Sequence, residues 1–211
     1  MGCGGAGANG GNDDDDGGGD DTTAPTAPSG LTANADDALV TLSWNAVNDA
    51  NTYNVYRATS ATDSASGSPL ATDLTETGYA DESADNGTTY YYRVTAIDEA
   101  GNESDGSGEV ASTPFTAPTE LTGTSGNSEI ELDWSGATGA ASYSVYRSTS
   151  STDGAAGDPL TTGVSQAAYT DTTAENGTKY YYRITSVNPE DEESAASNEV
   201  ERTPFSDPNR P

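Results

Sequence analysis

The chain has no histidine and a single cysteine, Cys3. The commonest general base near neutral pH is therefore absent, neither a His-based nor a Cys-rich metal site can be built, and no disulfide can form within the chain. Carboxylates are the chemistry that remains, with 35 Asp and Glu against 7 Lys and Arg. Paired carboxylates can run glycoside hydrolysis, but these acids are scattered and converge on no deep cleft. Two denser clusters stand out, Asp98-Glu99-Ala100-Gly101-Asn102-Glu103-Ser104 and Asn188-Pro189-Glu190-Asp191-Glu192-Glu193-Ser194. Both offer carboxylates to a divalent cation, yet the Asp, Asn and Gly of the first are also what a tight turn requires, and the second reads as a stiffer, more acidic loop. No catalytic residue, metal ligand or cofactor is assigned, and the chain reads as a non-enzyme.

Three other features could do something. Tyr91 with Arg93, and Tyr181 with Arg183, fall on one strand face and form an aromatic-basic strip for a sugar or a protein; cross-strand packing on an exposed sheet accounts for them equally well. Asn86, Asn102 and Asn176 each begin an Asn-x-Ser/Thr triplet at a turn, where a glycosyl transferase could reach them. Cys3, in Met1-Gly2-Cys3-Gly4-Gly5, resembles the lipid-modified cysteine of prokaryotic lipoproteins. That resemblance implies a diacylated anchor, stable because two chains enter the bilayer, with the following Gly/Asp stretch as a tether. The hydrophobic segment that such processing needs does not precede Cys3 here. Met1-Gly2 is also similar to a myristoylation start, but Ala6 occupies the usual Ser/Thr position.

The elements that position these groups come in duplicate. Trp44 returns as Trp134, Tyr53-Asn54-Val55-Tyr56-Arg57 as Tyr143-Ser144-Val145-Tyr146-Arg147, Tyr90-Tyr91-Tyr92-Arg93 as Tyr180-Tyr181-Tyr182-Arg183, and Thr113-Pro114-Phe115 as Thr203-Pro204-Phe205, always 90 residues on. Such a period is too long for a solenoid unit and suits a small self-contained domain. Within each copy the apolar period is two. Ile130, Leu132 and Trp134 face inward while Glu129, Glu131 and Asp133 alternate with them, and Val40, Leu42 and Trp44 do the same. Asn86-Gly87 marks a turn into the longest strand, placed at 88–97, and the last strand of the copy is placed at 108–113, before Pro114. About seven short strands per copy without helical periodicity predict a two-sheet sandwich.

Residues 1–25 are low complexity, with runs of Gly and Asp that bury nothing and repel one another, and read as a disordered acidic tether. The formal charge of -28 repels nucleic acid and anionic headgroups, which excludes a polyanion partner. One Lys in the whole chain, beside abundant Asp, is similar to the balance found in proteins of extreme halophiles, whose carboxylate surfaces are screened in molar salt. No stretch approaches the roughly 18 apolar residues of a membrane span.

The Trp on the second strand, the Tyr-x-Val-Tyr-Arg third strand, Gly87 to Tyr90 with Gly177 to Tyr180, and the run Val94 to Asn102 resemble the fibronectin type III family of prokaryotic extracellular proteins. The resemblance covers about residues 25–205. It implies two seven-stranded antiparallel β-sandwiches, 26–114 and 115–205, with a tail at 206–211, a core built on Trp44, Tyr90, Trp134 and Tyr180, and tyrosine corners at Tyr90 and Tyr180. It also implies a non-catalytic surface protein, lipid-anchored and acting as a spacer or adhesion module toward a protein or glycan. A homopolymeric filament and an accessory module of a secreted polysaccharide-degrading system are the alternatives. The short linker at 113–118 predicts limited bending between domains, with Phe115 at the junction and Phe205 repeating it at the far end.

Overall fold

A computed structural model describes residues 21–61, 67–151 and 157–206; Cys3 and most of the expected tether and tail lie outside these. The described residues form fourteen strands. The first seven are β1 (Thr32–Asp36), β2 (Leu39–Ser43), β3 (Thr52–Ala58), β4 (Ala71–Leu74), β5 (Gly78–Asp81), β6 (Tyr90–Ile97) and β7 (Val110–Ser112). The second seven are β8 (Thr119–Ser125), β9 (Ile130–Ser135), β10 (Ser142–Ser148), β11 (Thr161–Val164), β12 (Ala168–Asp171), β13 (Tyr180–Val187) and β14 (Val200–Arg202). Each half stacks a three-stranded sheet, β1-β2-β5 or β8-β9-β12, on a four-stranded one, β4-β3-β6-β7 or β11-β10-β13-β14, with every pairing antiparallel. Two tandem seven-stranded sandwiches result, as the alternation and the repeat require.

Each core lies between its two sheets. Val40, Leu42 and Trp44 from one side meet Tyr53, Val55, Tyr90, Tyr92, Val94 and Ala96 from the other, and Ile130, Leu132, Trp134, Tyr143, Val145, Tyr180, Tyr182 and Ile184 repeat the arrangement. Fully burying an aliphatic or aromatic side chain contributes roughly 1.5–3 kcal/mol, so a core of this size carries a domain of this length. Trp44 meets Tyr53 edge-on at 5.6 Å between ring centroids, and Trp134 meets Tyr143 at 5.3 Å. Tyr90 Oη accepts from Asp85 N at 3.1 Å and Tyr180 Oη from Glu175 N at 3.2 Å, so each phenol turns back on the chain just before its own strand.

Two strand limits are shorter than the sequence predicts. β6 begins at Tyr90 rather than Thr88, because Thr88 N is held in the turn by Asp85 O. β7 begins at Val110 rather than Gly108 because hydroxyls intrude on the ladder. Ser104 Oγ takes the Ala96 N–H at 2.9 Å and Ser107 Oγ takes the Val94 N–H at 3.1 Å, in place of carbonyls of a continuous strand.

Candidate functional site

The outward face of β3, β6 and β7 is where the aromatic-basic strip was expected. Tyr91 stands between Ala58 and Ala111, and Arg93 directly opposite Tyr56. Arg93 is tied down: Nη1 donates to Ser107 O at 2.8 Å and Nη2 lies 3.5 Å from Glu109 Oε2. In the second domain Arg183 Nε donates to Glu199 Oε2 at 3.2 Å, and Lys179, beside Tyr181, pairs with Glu201 at 2.6 Å. Tyrosine and arginine do share one face, but each arginine is matched to a glutamate across the sheet.

A second group on that face is centred on Glu103, a member of the acidic cluster at 98–104. Its Oε1 accepts from Thr95 Oγ1 at 2.6 Å, Tyr56 Oη at 2.7 Å and Asn54 Nδ2 at 3.4 Å, in a shallow cleft of about 360 Å³. The Thr95 hydroxyl, then Tyr56 and Asn54, hold the Glu103 carboxyl below its usual range against the opposing pull of burial. Glu193 repeats the site with Tyr146 Oη at 2.8 Å and Thr185. Burial first, and the Glu193 carboxylate next, push the Tyr146 phenol up to about 12. One acid oxygen that accepts from three donors is a fully engaged acceptor at the base of this cleft. Its three donors fix the Glu103 side chain in place, and Asp105 lines the same cleft.

Within the acidic cluster at 98–104, Asp98 is spent on its own turn while Glu103 reaches the sheet face. Asp98 Oδ1 accepts from Asn102 N and Oδ2 from Asn102 Nδ2, both at 2.8 Å. Among the described residues no group of three or more His, Cys, Asp or Glu could hold a metal ion. The glycosylation candidates use their amides structurally: Asn86 Oδ1 accepts from Ala38 N at 2.9 Å while Nδ2 donates to Asp37 at 2.7 Å, and Asn176 bonds Ser128 N and Asn127 in the same way. Asn102 Nδ2 also donates to Asp21 O at 2.8 Å.

Deeper in each domain sits an ion pair that sequence reasoning did not find. Asp81 receives Arg57 Nη1 at 2.7 Å, Tyr92 Oη at 2.8 Å, Ser83 Oγ at 2.7 Å and Ser83 N at 3.0 Å, and the guanidinium carbon lies 4.6 Å from the centroid of the Tyr90 ring. Arg147, Asp171, Thr173, Tyr180 and Tyr182 repeat it residue for residue. Burial alone would raise the Asp81 carboxyl, but its donors outweigh burial and hold it below the usual range.

The most constructed surface is the domain junction, and the acidic second loop belongs to it. Asn188 Nδ2 donates to Thr113 O at 3.2 Å, Thr113 Oγ1 to Glu190 Oε1 at 2.9 Å, and Ala35 N to Glu192 Oε1 at 3.1 Å. Ser186 Oγ donates to Thr116 O at 2.6 Å, while Thr116 exchanges two bonds of 3.0 Å with Thr138. Phe115 is 2% exposed beneath them. Gly139 has φ +82°, and a Cβ there would lie 2.5 Å from Pro114 O, so the close approach requires glycine at this position. In the loop expected to be stiff, acidic and open to a divalent cation, Glu190 and Glu192 are therefore acceptors for the neighbouring domain's hydroxyl and N–H groups.

Comparison with known proteins agrees with this architecture. Residues 28–113 match the family model described as fibronectin type III domain, SaeA third domain. An amylopullulanase of Thermoanaerobacter thermohydrosulfuricus is 44% identical over 93 residues, spanning 43% of this chain and 6% of that protein. Chitinase A1 of Niallia circulans is 32% identical over 201 residues, spanning 85% of this chain and 26% of that protein. The chain thus spans about a quarter or less of the length of these two relatives. The crystal structure of a Fn3-like protein from Clostridium thermocellum is 38% identical, with 44% of this chain and 96% of that one covered and a TM-score of 0.39.

Proposed function

We propose, from the premise that both halves are fibronectin type III sandwiches, that the tandem is a non-catalytic extracellular spacer serving a polysaccharide-acting protein. The observation that carries this reading is the junction: a buried Phe115 and direct bonds through Asn188, Glu190 and Glu192 hold two domains in one orientation. A spacer needs that property, since a freely jointed pair sets neither distance nor direction for what it carries. Likeness to segments of proteins named amylopullulanase and chitinase supports the extracellular, glycan-related setting. NMR relaxation of the chain tests the rigidity; one rotational correlation time for both domains is expected, and independent tumbling would overturn the spacer. Incubation with pullulan and chitin tests the rest, because newly released reducing ends would make the chain a catalyst.

Surface anchoring through Cys3 is a second part of the proposal, motivated by Met1-Gly2-Cys3-Gly4-Gly5 ahead of a Gly/Asp stretch. A natively expressed protein starting at Cys3 with a diacylglyceryl mass increment is expected. A bare mass from Met1 removes both the anchor and the three glycosylation candidates. The Tyr56–Glu103 and Tyr91–Arg93 face would supply contact to a protein or glycan, with Tyr91→Ala and Tyr181→Ala as the variants that test it by binding to immobilised polysaccharide.

A further inference from the structure

The far end of the second domain repeats the surface on which the second domain itself sits. Gly177 N donates to Pro204 O at 2.9 Å as Gly87 N donates to Pro114 O at 2.8 Å, and Phe205 N bonds Gly126 O as Phe115 N bonds Asp36 O. Asn176 holds Ser128 N as Asn86 holds Ala38 N. Thr203 stands where Thr113 stands, and Ser206 where Thr116 stands. The difference is cover: Phe115 is 2% exposed and Phe205 is 54% exposed. At the position of Thr89, whose hydroxyl lies 2.9 Å from the Thr113 hydroxyl that meets Glu190, the second domain has Lys179, in a chain with only 7 cationic residues.

We propose that this end of the second domain is a docking surface for a further fibronectin type III sandwich of the second-domain type, joined in line behind it. The inference uses the junction on which the spacer reading rests, but extends it to a surface that reading does not need. What must cover Phe205 is set by what covers Phe115: a glycine at the Gly139 position, a serine at Ser186, and an Asn-Pro-Glu-x-Glu loop supplying one N–H donor and two carboxylates. Lys179, which pairs with Glu201 on its own sheet, adds positive charge at the rim that such an acidic loop would approach.

The first domain of a second copy does not meet that description. It has Asp49 at the glycine position, so its Cβ would enter the space that a Cβ at Gly139 would share with Pro114 O at 2.5 Å. Ala96 and Ala100 replace Ser186 and Glu190, Asn102 replaces Glu192, and Asp98 offers a carboxylate where Asn188 offers an N–H. Head-to-tail self-association through this surface therefore forfeits most of the bonds that the junction makes.

The test extends the full chain at its C-terminal end in two ways, once with residues 116–205 repeated after Phe205 and once with residues 26–115, and measures domain-resolved NMR relaxation. The second-domain extension is expected to tumble with its neighbours and to lose that coupling in Phe205→Ala, while the first-domain extension tumbles independently. Independent tumbling of both extensions, or joint tumbling of both, overturns the proposal. A chain whose native two domains stay coupled while the third does not would overturn this inference and leave the spacer reading standing.

Discussion

Arg57 Nη1 lies 2.7 Å from Asp81 Oδ2 while the Asp81 side chain is only 1% exposed. A carboxylate so placed has given up its water, and the loss is made good by the guanidinium, a phenol and two Ser83 donors around it. The pair joins β3 of one sheet to the end of β5 of the other, so it fixes how the two sheets face each other. Its copy, Arg147 with Asp171 at 2.8 Å, does the same in the second domain.

Replacing Asp81 by Asn leaves a partly buried guanidinium without its counter-charge. A loss of about 3 kcal/mol is expected from the behaviour of broken buried pairs, read as a lowered urea midpoint. Tyr92→Phe removes one hydrogen bond and should cost about 1 kcal/mol. Equal costs for the two variants would mean that Asp81 is held by packing rather than charge.

Acid should expose the same groups. The Asp81 and Asp171 carboxyls sit below their ordinary value in the folded chain, where hydrogen bonds overcome the opposing effect of burial. A folded pKa below the unfolded one gives stability that is present above the unfolded value, near ~3.9 for Asp, and lost as pH falls through the folded one. Unfolding free energy should therefore drop below about pH 4, and the Asp81→Asn, Asp171→Asn double variant should show a flatter profile there. Parallel profiles would assign acid unfolding to other carboxylates.

At the junction, Phe115→Ala should open a cavity and cost about 3 kcal/mol, splitting one calorimetric transition into two as the domains uncouple. Glu192→Gln keeps the shape and weakens the acceptor for Ala35 N, so a loss near ~1 kcal/mol without splitting is expected. A Phe115→Ala chain that still melts in one transition would show coupling carried by the polar contacts.

With a formal charge of -28, salt should stabilise the chain. The Debye length shrinks from about 10 Å at 0.1 M to about 3 Å at 1 M, so repulsion between surface carboxylates fades over that range. Urea midpoints are expected to climb steadily from low to molar NaCl. A flat response would count against adaptation to high salt.

The fold was legible because the copy resolved every ambiguity of face. Val40 and Leu39 look alike to a pattern search, but Ile130 and Glu129 do not, and the structure buries Val40 and Ile130 together with their alternates. Asp81 was not legible, since an aspartate between short strands reads as a turn residue and its partner Arg57 lies 24 residues away. A signal existed: Arg57, Asp81 and Tyr92 all persist in the copy, and Ser83 becomes Thr173, another hydroxyl. The junction role of Glu190 and Glu192 was not legible for a different reason. Their partners, Thr113 and Ala35, belong to the other domain, and no local pattern reports a contact of that range.

The edge-on Trp–Tyr contacts have a practical consequence. With two tryptophans in the chain, Trp44 and Trp134, each sandwich holds a single indole fluorophore packed against a tyrosine of its own core. Exchanging either one for phenylalanine leaves an emission signal that belongs to one half alone, so the two halves can be followed separately as they lose their packing, with no dye attached.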